Sequence, residues 1–387
     1  MKKLLLSIFL ISFSFSISSF ELTHSINAEG RSVIQTSDGG YIVAGNVDGN
    51  EATLIKLDNG GNISWDFTYS GLGHLAYASS VKQTSDGGYI VIGYQQSNGD
   101  MDSDNTFYGY VPWLLKVNSD GYPAFQKFFD LNIDNNSQGG GYGYDIDIAQ
   151  DGGYILFCQT DANTNSSTDV YLIKTDSLGE EEWRESYRIN DEDTYVASGF
   201  STSDGGYVLS GTAPYTNDAG YICKTDSEGV INWCNTNYSR RITSASETSD
   251  AGYILSSYTG GAGDDYRLIK LDTAGSEEWS ETYDIGSFST NAIALSVDQA
   301  TDGGYIATGY NSYSNSGQQY DISLLKVNSD GTYNDDNSYP RGEDGMNWGW
   351  GRSVVAASDG GYILTGFAES GGNQFTNGKL IIIKTDE

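Results

Sequence analysis

The chain has 387 residues, 52 acidic against 20 basic, and a formal net charge of −32 at pH 7. Such a charge repels phosphate backbones and excludes nucleic acid as a partner. Three cysteines are too few for a disulfide scaffold, and two histidines far apart, His24 and His74, argue against a His-rich metal site or a His-dependent triad.

In chain order, residues 1–18 read as a secretory signal. Lys2 and Lys3 form its positive start, Leu4 to Ile11 with the following Phe/Ser stretch its apolar body, and Ser16 and Ser18 its small cleavage positions. The run is too short and too rich in serine to span a bilayer, and no second apolar segment follows, so no stable membrane insertion is expected. The remainder, 19–387, reads as one domain that is secreted to the periplasm, the cell surface or the medium. Its acidity suits a solvated extracellular surface, with a cation-collecting surface as the sharper alternative.

A strand at Phe20–Ser25 comes first, then a repeating unit. In the first copy Ser32–Thr36 is a strand, Ser37-Asp38-Gly39-Gly40 a tight turn and Tyr41–Gly45 a second strand. Thr53–Leu57 is the third strand, Asp58 to Gly61 a second turn, and Ile63–Tyr69 the fourth strand. The Asp-Gly-Gly-Tyr phrase recurs from Asp38, Asp86, Asp151, Asp204, Asp250, Asp302 and Asp359, with Ala251 breaking the fifth copy. Four short strands in a period of about 50 residues predict an all-β fold, a seven-bladed β-propeller of four-stranded antiparallel blades. The last copy stops at Glu387 without a fourth strand. Phe20 to Ser25 aligns with Trp65 to Ser70, so the N-terminal strand is expected to complete the last blade and close the ring.

The repeated residues have structural work to do. The turn Asp accepts backbone N–H bonds, and the Tyr and Trp fill the gaps between blades. Lys56, Lys116, Lys174, Lys224, Lys270, Lys326 and Lys384 recur once per copy, with stems expected over aromatic faces and ammoniums near turn carboxylates. Cys223 and Cys234 flank one hairpin, leaving a cross-strand disulfide open, and Cys158 lies in an apolar strand as a buried thiol.

The segment Asp58-x-x-Gly61-x-x-x-Trp65 resembles the tryptophan-docking motif of quinoprotein-type propellers. It recurs at Asp176/Gly179/Trp183, Asp226/Gly229/Trp233 and Asp272/Gly275/Trp279, while Phe125 replaces Trp in the second copy and the sixth has Asp335 with no aromatic. The whole domain is similar to secreted propeller-repeat proteins of bacteria and archaea. Quinoprotein dehydrogenases usually have eight blades, adjacent cysteines and a calcium-bound quinone. This chain has seven copies and no adjacent cysteines, so the quinone is not carried over.

Short identical turns occupy one face of such a disc, and the connections that vary in length occupy the other, where binding is expected. Three loops stand out there. Residues 97–112 hold Asp100, Asp102 and Asp104, then Tyr108 and Tyr110; residues 131–144 hold Tyr142 and Tyr144; residues 341–352 hold Trp348 and Trp350. Alternate carboxylates at Asp100, Asp102 and Asp104 could share one calcium ion. Asn105 and Val111 depart from a full EF-hand loop, and a plain polar loop tip is the competing reading. Tyr108, Tyr110, Tyr142, Tyr144, Trp348 and Trp350 are candidates to stack on a ligand, against packing within long loops. The leading expectation is a non-catalytic binding propeller for an extracellular glycan, peptide or protein, with no catalytic residue marked. The alternatives are a carboxylate-dependent glycoside hydrolase or lyase and a structural or adhesive surface component. Oligomeric state cannot be read from the sequence.

Overall fold

The computed structural model of the chain describes residues 19–24, 28–48, 51–70, 75–96, 109–131, 140–160, 168–213, 218–260, 263–285, 291–313, 319–339, 348–369 and 378–386. The expected signal segment, the Asp100/Asp102/Asp104 trio and Tyr108 lie outside the described residues.

In the first repeat, strands one to four run Ala28–Gln35, Tyr41–Val47, Glu51–Leu57 and Ile63–Tyr69. Each pairs antiparallel with the next. Strands two and three, rich in Val, Ile and Leu, are buried along nearly their whole length, whereas strand four alternates and forms the outer edge. Among the described residues, 28 strands keep this order in five four-stranded sheets and one eight-stranded sheet. The eight-stranded sheet is the sixth and seventh repeats joined through one parallel pairing, Tyr320 with Trp348. A single 3-10 turn, Ile189–Asp191, is the helical element among these residues. No helix there is long and apolar enough to cross a membrane.

The N-terminal strand Phe20–His24 pairs antiparallel with Lys379–Thr385, Phe20 opposite Lys384 and His24 opposite Leu380. It thus supplies the fourth strand of the seventh repeat, as its alignment with Ile63–Tyr69 requires. Apolar clusters fall between neighbouring repeats rather than inside one. One joins Ile42 and Leu54 of the first repeat to Val81 and Val91 of the second, and another joins Ile363, Leu380 and Ile382 of the seventh to Val33, Val43 and Ile55 of the first.

Aromatic rings do the same work at the rim. Trp65 meets Tyr89 of the next repeat at 6.0 Å between centroids, Trp183 meets Tyr207 at 6.0 Å, Trp233 meets Tyr253 at 5.7 Å and Trp279 meets Tyr305 at 5.7 Å. Phe20 takes the same place against Tyr41 at 6.1 Å. Each of these rings also covers a positive-φ glycine of the next repeat's second turn; Gly275, at φ 79°, lies so close under Trp233 that a Cβ there would sit 2.7 Å from the ring.

The seven lysines bring their ammoniums to the carboxylates of their own Asp-Gly-Gly turns at 2.6–3.0 Å. Each also donates to the carbonyl that follows it, as Lys56 Nζ does to Leu57 O at 2.9 Å. This explains the two glycines. Gly39 turns the chain at φ 81°, and a Cβ on Gly40 would stand 2.2 Å from Leu57 O and 2.7 Å from Lys56 Nζ. The carboxylate in turn accepts the N–H of that second glycine, as from Gly40 at 2.9 Å. In the fifth copy Ala251 holds the turn at φ 60°, a conformation glycine tolerates better. Cys223 and Cys234 form a disulfide between facing strands, and Cys158 is a buried free thiol.

Candidate functional site

In six repeats the pairing of strand one with strand two slips by one residue, leaving Arg31, Ser79, Tyr144, Ala197, Leu295 and Arg352 as the extra residues. A β-bulge re-aims the side chain it inserts. These six residues and Thr243 of the fifth repeat line one cavity of about 150 Å³, so every repeat contributes to a common mouth. The next residue of each strand, Ser32, Ser80, Asp145, Ser198, Ser244, Ser296 and Ser353, lines both this mouth and a deeper cavity of about 310 Å³.

Those neck side chains stitch one repeat to the next. Ser32 Oγ accepts from Val81 N at 3.3 Å, Ser296 Oγ from Val354 N at 3.2 Å, and Ser353 Oγ from Val33 N at 3.3 Å. Deeper down, Lys82 lies 3.6 Å from Asp147. The carboxylates beside it are tied to backbone: Asp145 accepts from Gly199 N, Asp147 from Ser201 N and Asp298 from Ala356 N at 2.9–3.1 Å. Burial raises the carboxyls of Asp145 and Asp298 above their ordinary range despite those bonds and the Lys82 ammonium.

At the mouth the sequence candidates fall into two groups. Tyr142 packs on Tyr94 at 4.8 Å and Tyr110 at 5.5 Å, with Tyr144 6.2 Å away and Tyr77 stacked on Tyr94 at 4.7 Å. Trp348 stacks on Tyr320 at 4.5 Å, and Trp350 on Tyr310 at 5.2 Å with Phe367 edge-on at 5.2 Å. The rings therefore pack on one another, yet apart from the buried Phe367 they stay partly open to solvent, Tyr144 by 36%. No ring of one group stacks directly on a ring of the other among the described residues.

Three charged residues connect them. Arg352 lies 4.9 Å over the Trp350 ring and donates from Nε to Glu29 at 2.7 Å, and Arg31 donates to the other oxygen of Glu29 at 3.1 Å. Arg31 in turn lines the same mouth cavity as Tyr144 of the first group. Burial alone would raise the Glu29 carboxyl, but the two guanidiniums outweigh it and hold it below its ordinary range. Arg31 Nε and Trp350 Nε1 are buried without a hydrogen-bond partner among the described residues. Sequence reading missed Glu29, Arg31 and Arg352, because Arg31 and Arg352 are bulge residues of the first and last repeats and come together on Glu29 only in the folded chain. At the bulge position two of the seven repeats place arginine, which by itself marks neither the bulge nor the pairing.

Among the described residues no group of three or more His, Cys, Asp or Glu side chains is placed to hold a metal ion.

No family model matches the chain, and no curated protein matches it in sequence. Among solved structures it is similar to the propeller of Dos1, at 11% identity over 93% of this chain and 77% of that chain, with a TM-score of 0.54. It is also similar to YCF48 from Cyanidioschyzon merolae, at 11% identity over 94% of this chain and 98% of that chain, with a TM-score of 0.52. Likeness at this identity speaks for the fold alone, and that fold is a β-propeller.

Proposed function

We propose that the chain is a seven-bladed propeller with tryptophan-docking blades, exported by residues 1–18, that acts as a non-catalytic interaction scaffold. Its partner, an extracellular glycan, peptide or protein, would bind at the loop-rich mouth. Seven blades and closure are supported by bonds that join the first and last repeats in the pattern used elsewhere: Ser353 Oγ with Val33 N, and Gln35 Oε1 with Ser358 N at 2.7 Å. Fourth-strand rings lying over the next repeat's turn glycines support the docking arrangement.

The observation that carries the binding reading is the Arg31–Glu29–Arg352 bridge between two partly open aromatic groups. Rings offer flat faces to a sugar or an aromatic side chain, while guanidiniums offer donors to hydroxyl, carbonyl or carboxylate oxygens. The test is an array of glycans and peptides probed with the wild type and with Trp348→Ala/Trp350→Ala. Signals should fall at least about tenfold in the double variant; unchanged signals would move the site elsewhere.

A carboxylate-dependent hydrolase draws on the raised carboxyls of Asp145 and Asp298 in the axial cavity. An acid/base pair must be free to reach its substrate. Both groups instead accept amide N–H bonds that hold neighbouring repeats together, which favours binding over catalysis.

A further inference from the structure

One sector of the mouth, built by the sixth, seventh and first repeats, is oversupplied with hydrogen-bond donors. Ser296, Ser353 and Ser32 follow the bulge in these three repeats, and each Oγ accepts an amide N–H of the next repeat. A hydroxyl that accepts a backbone N–H still has its own proton to give. Among the described residues none of the three donates it, although all three side chains line the neck between the two cavities. Arg31 Nε and Trp350 Nε1, in the same sector, are likewise without an acceptor there.

The charge of the sector matches its donors. Arg31 and Arg352 both line the mouth cavity, with side chains 35% and 28% exposed. One carboxylate, Glu29, holds their guanidiniums side by side from outside the cavity lining. Two guanidiniums against one carboxylate leave one positive charge in excess. Burial is the main influence lowering the Arg352 guanidinium below its ordinary value, the Arg31 charge adds to it, and Glu29 does not make up the difference. Asp145 also lines this cavity, but it belongs to the third repeat and accepts there from Gly199 N at 3.1 Å.

Donors and charge together narrow the occupant. A cation is repelled by the guanidiniums. A neutral hydroxyl or carbonyl accepts from the donors and leaves the positive charge unmatched. A phosphate carries more negative charge than the excess balances, and the acidity of the whole chain opposes it more strongly. A carboxylate has a single charge and two acceptor oxygens in a plane, which a guanidinium fork and neighbouring hydroxyls match. The cavity, at about 150 Å³, admits such an end group rather than a whole chain.

We infer that the mouth between Arg31 and Arg352 is a seat for a carboxylate group of the ligand, held by both guanidiniums and by the hydroxyls of Ser32, Ser296 and Ser353. This names the chemistry of the ligand and rests on the binding reading proposed above for the same mouth. A sugar acid and a peptide C-terminus are two carriers of that one group.

The test is calorimetric titration of the full chain with two matched pairs, glucuronate against glucuronamide and N-acetylalanine against N-acetylalanine amide. At least one acid should bind, at least about tenfold more tightly than its amide twin, and the pair that shows the difference identifies the carrier as sugar or peptide end. Arg31→Gln removes one guanidinium and should weaken that acid about tenfold. Its melting curve shows separately whether it folds; if it does not, the matched pairs on the wild type decide alone. Amide twins that bind as well as the acids, absence of binding by both acids, or full affinity in a folded Arg31→Gln would each overturn the assignment. Failure of the mouth as a site for a larger ligand reads out differently, as array signals untouched by Trp348→Ala/Trp350→Ala, while the difference between acid and amide judges the carboxylate seat.

Discussion

Lys116 shows what the repeated residues do one at a time. Its ammonium is nearly buried, 2.9 Å from the Asp86 carboxylate, and that carboxylate also accepts from Thr84 Oγ1 and Gly88 N. The Thr84 bond is the largest influence on Asp86; with the bonds from Lys116 and Gly88 it outweighs desolvation and holds the carboxyl at about 2 rather than 3.8. Asp38, Asp204 and Asp250 stand at about 2 as well, where desolvation is outweighed by the same kinds of donor. A carboxyl depressed by folding contributes stability that is complete above its unfolded pKa and fades as pH falls toward the folded one. Asp86→Asn should therefore cost roughly 1–3 kcal/mol at neutral pH, by weakening the partner of a nearly buried ammonium. The difference from wild type should shrink between about pH 4 and pH 2, and denaturant titrations of both proteins across that range check it. A difference that is flat with pH would remove the turn carboxylates from the stability of the fold. This role was legible in the sequence, because an Asp, two glycines and a lysine at fixed spacing recur in every copy.

At the level of elements, the N-terminal strand and the bulges make opposite cases. Phe20–His24 could be placed beforehand because Phe20 aligns with Trp65 and the seventh copy lacks a fourth strand, and the pairing with Lys379–Thr385 follows. Phe20 covers Tyr41 and Gly61, so Phe20→Ala should destabilise by about 1 kcal/mol, less than the worth of a fully buried aromatic side chain because Phe20 is only partly buried. Chemical denaturation measures it; an unchanged midpoint would mean that the strand adds pairing but no packing. The bulges left no such trace. Their extra residues are Arg31, Ser79, Tyr144, Ala197, Leu295 and Arg352, which share no size, charge or polarity. A one-residue slip in strands this short is hidden in alternating patterns that are already uneven.

Across the whole molecule, sameness builds the disc and difference builds its surfaces. The turn end carries scattered exposed apolar residues, Ile63, Tyr122, Leu178, Val230 and Tyr333, each at the second turn of a different repeat. Single exposed apolar residues of this kind are ordinary for a soluble surface. The mouth differs, since Tyr142, Tyr144, Trp348 and Trp350 come from distant parts of the chain and are joined by Arg31, Glu29 and Arg352. Sequence reading singled out these rings because they flank long loops. It could not find the bridge, because Glu29 and Arg352 are 323 residues apart and meet only where the last repeat packs on the first. Oxidative footprinting of the chain, with and without a ligand selected from the array, tests this placement most directly. Tyr142, Tyr144, Trp348 and Trp350 should lose reactivity on binding while Tyr122 and Tyr333 at the turn end keep theirs. Protection of Tyr122 and Tyr333 with the mouth unchanged would contradict it.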